Sequence, residues 1–190
     1  MMPSGAPVHY RRAEESDYPA LARIAADNAR DNPDVTARGQ GFLTGHFDVA
    51  KVSAFNADLG ILVADAEGEV VGFPCSPTRD FARHAPILRA LLDACAKAEF
   101  EGRPVAALRA FFYGPVCVAL AWQGRGVARG LYRALKHEFA SRFDVGLLFI
   151  DDDNPHSLAV HERSFGMTRI GSFQFSQRRY AILSFRCQGS

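Results

Sequence analysis

The order of apolar and polar residues predicts the elements. Val8 to Arg12 reads as a strand, and after Ser16, an N-cap by residue type, Leu21 and Ile24 lie on one helical stripe. A stretch bearing Gly39, Gly41, Phe42, Gly45 and Phe47 follows, and from about Asp48 the spacing of Val49, Val52 and Phe55 predicts a second helix. Leu59 to Ala64 and Glu69 to Pro74 are apolar runs on either side of Asp65-Ala66-Glu67-Gly68, the pattern of an antiparallel hairpin. Pro86 opens a helix with Ile87, Leu88, Leu91, Leu92 and Cys95 on one side and Asp93, Lys97 and Glu99 toward solvent. Gly102 and Pro104 end it, and a long strand is expected from Val105 to about Leu120. A helix from near Gly126, burying Ala128, Leu131, Leu135 and Phe139, leads to the wholly apolar run 145–150, so strand, helix and buried strand form a β-α-β unit. A short helix from about Pro155 and two strands, Thr168 to Phe175 and Tyr180 to Phe185, complete the pattern.

These elements predict an α/β chain of the α+β type, with a central mixed, largely antiparallel sheet flanked by helices. The length, 190 residues, favours one domain over 8–190 after a disordered N-terminus at 1–7. Lys and Arg number 22 against 21 Asp and Glu, so the excess of positive charge that a nucleic-acid or anionic-membrane binder needs is missing. No N-terminal apolar segment or long apolar run appears, which points to a cytoplasmic protein without a membrane partner. Cys75, Cys95, Cys117 and Cys187 form no C-x-x-C pair, and reduced, buried thiols are the expectation. No metal is implied: His161-Glu162 begins an H-E-x-x-H pattern, but Phe165 stands where the second histidine belongs.

The chemistry concentrates between the long strand and the helix at 126. Gly124 and Gly126 let the backbone turn successive N–H groups toward one anion, and the helix start adds unpaired donors and its positive dipole end. Arg125, Arg129 and Arg133 recur at i, i+4 and i+8 as a basic stripe. A P-loop is excluded, because no Gly-Lys-Ser/Thr closes the segment. A dinucleotide fingerprint, with Asp151 on a ribose, meets Arg129 at its third glycine position and has little chain left to finish a doubly wound sheet.

Gln123-x-x-Gly126-x-Ala128 is similar to the acetyl-CoA loop of the GNAT superfamily of N-acetyltransferases, Arg/Gln-x-x-Gly-x-Gly/Ala. The run from Asn154 through Ser157 and His161 to Gly166 resembles that family's second element. It is one residue longer than usual, with Met167 in place of Phe, and Leu120 stands where proline is common. The resemblance implies a GNAT-like acyl-CoA N-acyltransferase fold and acetyl-CoA as acetyl donor. It assigns Gln123, Gly124, Arg125, Gly126, Val127 and Ala128, with Arg129 beside them, to the pyrophosphate, and backbone groups of Cys117 and Val118 to the pantetheine arm. Asn154 would bind a pantetheine amide, and His161, at the position of a common tyrosine, would protonate the departing thiolate.

Asp151-Asp152-Asp153 follows the buried strand, and Asp152 is the candidate general base, acting through water on an ammonium substrate. The implied reaction is direct attack of a primary amine on the thioester, with a backbone N–H near Val118 stabilising the oxyanion. The acceptor is a small-molecule or peptide amine, its pocket drawn from residues 30–56 and 76–100. The helix at 86–99, longer than the family's usual connection, lines that pocket, decorates the sheet or packs against a second copy in a homodimer. A non-catalytic acyl-CoA-binding sensor and a dinucleotide-dependent oxidoreductase stay open as alternatives.

Overall fold

The computed structural model describes residues 7–38, 41–43 and 45–188. The N-terminal segment expected to be disordered lies, through residue 6, outside the described residues, as does Gly39. In chain order the elements are β1 (Val8–Arg12), α1 (Tyr18–Asp27), α2 (Pro33–Arg38), α3 (Val49–Asp58), β2 (Leu62–Ala66) and β3 (Glu69–Pro74). Then come α4 (Arg79–Ala82), α5 (Pro86–Cys95), the short β4 (Glu99–Phe100) and β5 (Arg103–Pro104), β6 (Ala110–Phe112) and β7 (Val116–Val118). The chain ends with α6 (Val127–Phe139), β8 (Val145–Asp151), α7 (Pro155–Ala159), β9 (Thr168–Phe175) and β10 (Arg178–Arg186). These divide into two compact units, the first from described residues within 7–38, 42–75 and 115–135, the second from Gly41 and those within 76–114 and 136–188.

The first unit holds a four-stranded antiparallel sheet in the order β1-β2-β3-β7. The β2–β3 turn needs two residues with positive φ, supplied by Glu67 at 55° and Gly68 at 87°, and Asp65 accepts the Gly68 N–H at 2.7 Å. Ser16 is not the cap of α1. Residues Glu15–Asp17 form a 3-10 turn whose Asp17 carboxylate accepts the Glu14 N–H at 2.8 Å and the Arg11 guanidinium at 2.7 Å. A charge-assisted contact of this kind outcompetes a serine hydroxyl at the same helix entry. Leu21 and Ile24 are buried as expected, whereas Val49, at 45% exposure, faces solvent and α3 packs through Val52 and Phe55. Ala64, Ala66, Val71, Val118, Val127 and Leu131 form the core beside the start of α6. Val127 takes the buried place expected for Ala128, which is half-buried.

The second unit holds a four-stranded sheet in the order β6-β8-β10-β9, in which β6 and β8 are parallel and the other pairs antiparallel. The strand expected over Val105 to Leu120 is therefore broken. Val105–Ala107 is a 3-10 turn, β6 belongs to the second unit, and β7 pairs with β3 in the first. The break falls at Tyr113-Gly114-Pro115, where Gly114 takes φ 124° and Pro115 supplies no N–H. The parallel crossover consequently runs from β6, not from β7, to β8. The apolar stripe of α5 (Leu88, Leu91, Cys95) is buried in a core with Phe112, Leu147, Phe173, Tyr180 and Ile182. That stripe is engaged within its own unit and is not a face offered to a second copy.

Among the described residues no helix is long and apolar enough to cross a membrane. All four cysteines are free and buried. Burial pushes the thiols of Cys95, Cys117 and Cys187 up to about 12 and that of Cys75 well above its ordinary range, so none is a thiolate nucleophile near neutral pH.

Candidate functional site

In the first unit, β7 leads through a 3-10 turn (Leu120–Trp122) into the loop expected to bind an anion. Gln123 is extended, Gly124 and Gly126 take φ of 74° and 83°, and a Cβ placed on either glycine would meet nothing within 4 Å. The loop face is open, and its glycines are required by conformation, not by crowding. Gly126 accepts the Gly130 N–H at 3.0 Å, the first helical bond of α6. Downstream, buried Val127 anchors the loop against the sheet. Gly72, not singled out by the sequence, permits this contact: a Cβ there would lie 3.0 Å from the Cys117 carbonyl oxygen and 3.2 Å from Val127 Cγ1. Arg125, Arg129 and Arg133 are exposed, and the Arg125 guanidinium lies 5.3 Å from the centroid of the Trp122 ring.

The β3–β7 register separates the two backbone donors expected for a pantetheine arm. The Ala119 N–H bonds Val71 and the Cys75 N–H bonds Pro115, so by alternation Cys117 exchanges its bonds with Phe73. Cys117 is thus turned into the sheet and does not serve the expected role. Val118, paired with Gly72, points its N–H and C=O to the edge opposite β3. Its carbonyl accepts the side-chain amides of Asn28 at 3.1 Å and Gln123 at 3.3 Å. Gln123 therefore turns its side chain inward, where its Nε2 also donates to Asn28 Oδ1 at 3.0 Å. Asn28 lies outside every motif, and only the fold brings it to residue 123.

In the second unit, Asn154 is buried and caps α7, its Oδ1 accepting the Ser157 N–H at 3.3 Å. A Cβ on Gly41 would stand 3.5 Å from that oxygen and 3.4 Å from Ser157 Cβ. After α7 the helix widens into a π turn over Val160–Ser164, with the Phe165 N–H bonding the Val160 carbonyl at 3.1 Å. One π turn absorbs one extra residue, which accounts for the long spacing from Asn154 to Gly166.

His161 sits on this turn, buried, with its ring centroid 5.3 Å from Phe165 and 6.1 Å from Tyr113. Its Nδ1 is 2.8 Å from the Ser157 carbonyl oxygen. A carbonyl only accepts, so Nδ1 carries the proton and Nε2 is left with its lone pair. Burial lowers the His161 pKa below its ordinary value of 6.5, the Ser157 contact opposing this more weakly. Below pH 6.5 the unfolded imidazole binds a proton that the native one refuses, so this residue's contribution to stability is present above 6.5 and is lost as the pH falls. A neutral imidazole with a bare Nε2 accepts a proton before it can donate one, so it can protonate a departing thiolate only after taking up a proton itself.

The aspartates are not an uncompensated acidic cluster. Asp151 is buried and 3.0 Å from Arg178 Nη1, and it also accepts the Asp153 N–H at 3.0 Å. Asp152, the general base expected from sequence, lies 3.6 Å from Arg179 Nε. Arg178 and Arg179 open β10, and nothing in their local sequence signals this pairing. Asp151, the ribose ligand of the dinucleotide reading, is occupied by Arg178. Among the described residues no group of three or more His, Cys, Asp or Glu is placed to hold a metal ion.

The family model described as the Acetyltransferase (GNAT) family matches residues 21–167. No curated protein matches the chain. Among solved structures, an N-acetyltransferase from Staphylococcus aureus Mu50 superposes with a TM-score of 0.63 at 17% identity, covering 96% of this chain and 99% of that one. A ribosomal-protein-alanine N-acetyltransferase from Brucella melitensis does so at 0.62 and 24%, covering 94% and 99%. A protein from Salmonella typhimurium, described with its cofactor acetyl-CoA, does so at 0.59 and 17%, covering 98% and 96%. At these identities the likeness establishes the fold.

Proposed function

This chain belongs to the GNAT family of acetyltransferases, and we propose that it transfers the acetyl group of acetyl-CoA directly to a primary amine. The observation that carries this reading is the loop 123–128: two positive-φ glycines with open space around them, at the start of a thirteen-residue helix and beside exposed Arg125 and Arg129. These groups fit a pyrophosphate, because N–H donors, a helix dipole and cations all favour a compact polyanion. When bound, acetyl-CoA supplies an activated acyl group, so the chain's own residues have to bind, orient and move one proton. Val118 directs an N–H outward for the acyl oxygen, and Asn154 is assigned to a pantetheine amide.

We assign the proton to His161. The acceptor nitrogen, attacking as the free amine, passes its proton to Nε2 as the new C–N bond forms and the C–S bond breaks. The imidazolium then delivers that proton to the leaving sulfur, so CoA departs as a thiol and the imidazole returns to neutral. Nδ1 keeps its proton and its bond to Ser157 throughout. No separate acid or base from the Asp151–Asp153 cluster is needed.

The test is release of free CoA thiol from acetyl-CoA against a panel of amines, including peptides with free N-termini, lysine, polyamines and aminoglycosides. Amine-dependent release is expected. Binding of acetyl-CoA without release by any amine would instead favour the non-catalytic acyl-CoA-binding reading. His161→Ala is expected to lower kcat roughly a hundredfold with the KM for acetyl-CoA little changed. In the parent enzyme, kcat/KM calculated on the concentration of free amine should keep an acidic limb below pH 6.5, because the neutral imidazole is the active form and burial extends its range downward. A limb that persists unchanged in His161→Ala would remove this residue from proton transfer.

A further inference from the structure

A buried side-chain amide is costly unless its donors and its oxygen are satisfied, and the way Asn28 achieves this joins three parts of the first unit. Asn28, at the end of α1, is 5% exposed. Its Nδ2 donates to the Ile24 carbonyl at 2.8 Å and the Val118 carbonyl at 3.1 Å. Its Oδ1 accepts Gln123 Nε2 at 3.0 Å. Both amide orientations follow from chemistry: Asn28 faces two carbonyls that only accept, so its nitrogen must lie there. Gln123 in turn meets two acceptors, Asn28 Oδ1 and the Val118 carbonyl, so it too presents nitrogen. The Asn28 backbone extends the network, its carbonyl accepting the Leu43 N–H at 2.8 Å while the Leu43 carbonyl accepts Arg30 N–H at 3.0 Å.

From this geometry we infer that Asn28 is a positioning residue for the phosphate-binding loop, acting through Gln123. Gly124, Arg125 and Gly126 are exposed, and no packing restrains the two glycines. A loop with this composition has many conformations to lose on binding, and its affinity falls by the fraction of time it is misplaced. Val127 secures its downstream end, and the Asn28–Gln123 amide pair secures its upstream end. The same pair ties the loop to the Leu43 segment through the Asn28 backbone. This role rests on the acetyl-CoA reading of the loop.

The test compares acetyl-CoA with S-acetyl-pantetheine, which lacks the pyrophosphate, for the parent protein, Asn28→Ala, Gln123→Ala and the double variant. Each single variant is expected to raise the Kd for acetyl-CoA and CoA roughly three- to tenfold, the weight of about one buried hydrogen bond. The double variant should lose little more than either single one, because the two amides act as a unit. For each variant the loss in kcat/KM should be clearly smaller with S-acetyl-pantetheine than with acetyl-CoA, a difference that a general loss of structure would not produce. Equal losses for both donors, or single losses that simply multiply in the double variant, would overturn the positioning role. Should Asn28→Ala fail to fold, the half-buried Gln123→Ala carries the test through the same donor comparison. Failure of the parent protein to bind either CoA species would overturn the acetyltransferase reading itself. Parent binding with unchanged affinity in both single variants would overturn only the role of Asn28.

Discussion

Gly126→Asp is expected to weaken acetyl-CoA and CoA binding on the order of a hundredfold while leaving the fold intact. Two costs combine. Gly126 holds φ 83°, where a side chain strains the backbone by roughly 1–2 kcal/mol, and the added carboxylate repels the phosphates that the loop is proposed to hold. Nothing lies within 4 Å of the added Cβ, so backbone strain alone sets the loss of stability, and the melting temperature should fall by roughly 2–8 °C. Calorimetric titration of Gly126→Ala alongside separates the terms, since alanine carries the strain without the charge. Only the aspartate's excess penalty should shrink as salt is raised. Equal CoA affinity in the parent and Gly126→Asp would place the phosphates elsewhere.

Gly146→Ala tests the core of the second unit, and its expected effect is on stability. Gly146 pairs with Phe185 across β8 and β10, and a Cβ at 146 would stand 2.2 Å from Phe185 Cζ and 2.5 and 2.8 Å from the neighbouring ring carbons. The ring has no retreat, because it packs edge-on against Tyr113 at 5.5 Å and Phe111 at 6.1 Å. Overpacking of this kind costs about 3 kcal/mol, at the upper end of its usual range. In a chain of this size that lowers the melting temperature by roughly 6–12 °C. Adding Phe185→Leu should recover part of the loss, so the double variant is more stable than the two single losses predict. A Gly146→Ala protein melting within about 2 °C of the parent would mean that the ring has room to move.

Both predictions concern glycines whose meaning differs in how visible it is. Gly126 is legible in the sequence, because it stands in a motif between a strand and a helix. Gly146 is not, because its partner is 39 residues away and the demand arises from a cross-strand ring.

The sequence by itself determined the elements with strong local signals: β1, the β2–β3 and β9–β10 hairpins, α5, α6, the buried β8, and the loop 123–128 between a strand and a helix. In each of these, periodicity and turn chemistry are properties of neighbouring residues. The same holds for the two family motifs, whose order along the chain carried the family resemblance. Tertiary structure alone decided what depends on distant partners. It broke the run 105–120 into strands of two different sheets, because β6 finds β8 and β7 finds β3 across long stretches of chain. By the register of β7 it turned Cys117 into the sheet and Val118 outward. It gave Asp151 and Asp152 their arginines from β10, and it fixed the His161 tautomer through a π turn. It also brought Asn28 from the end of α1 to Gln123, a pairing that no local pattern encodes because the two side chains stand 95 residues apart in the chain.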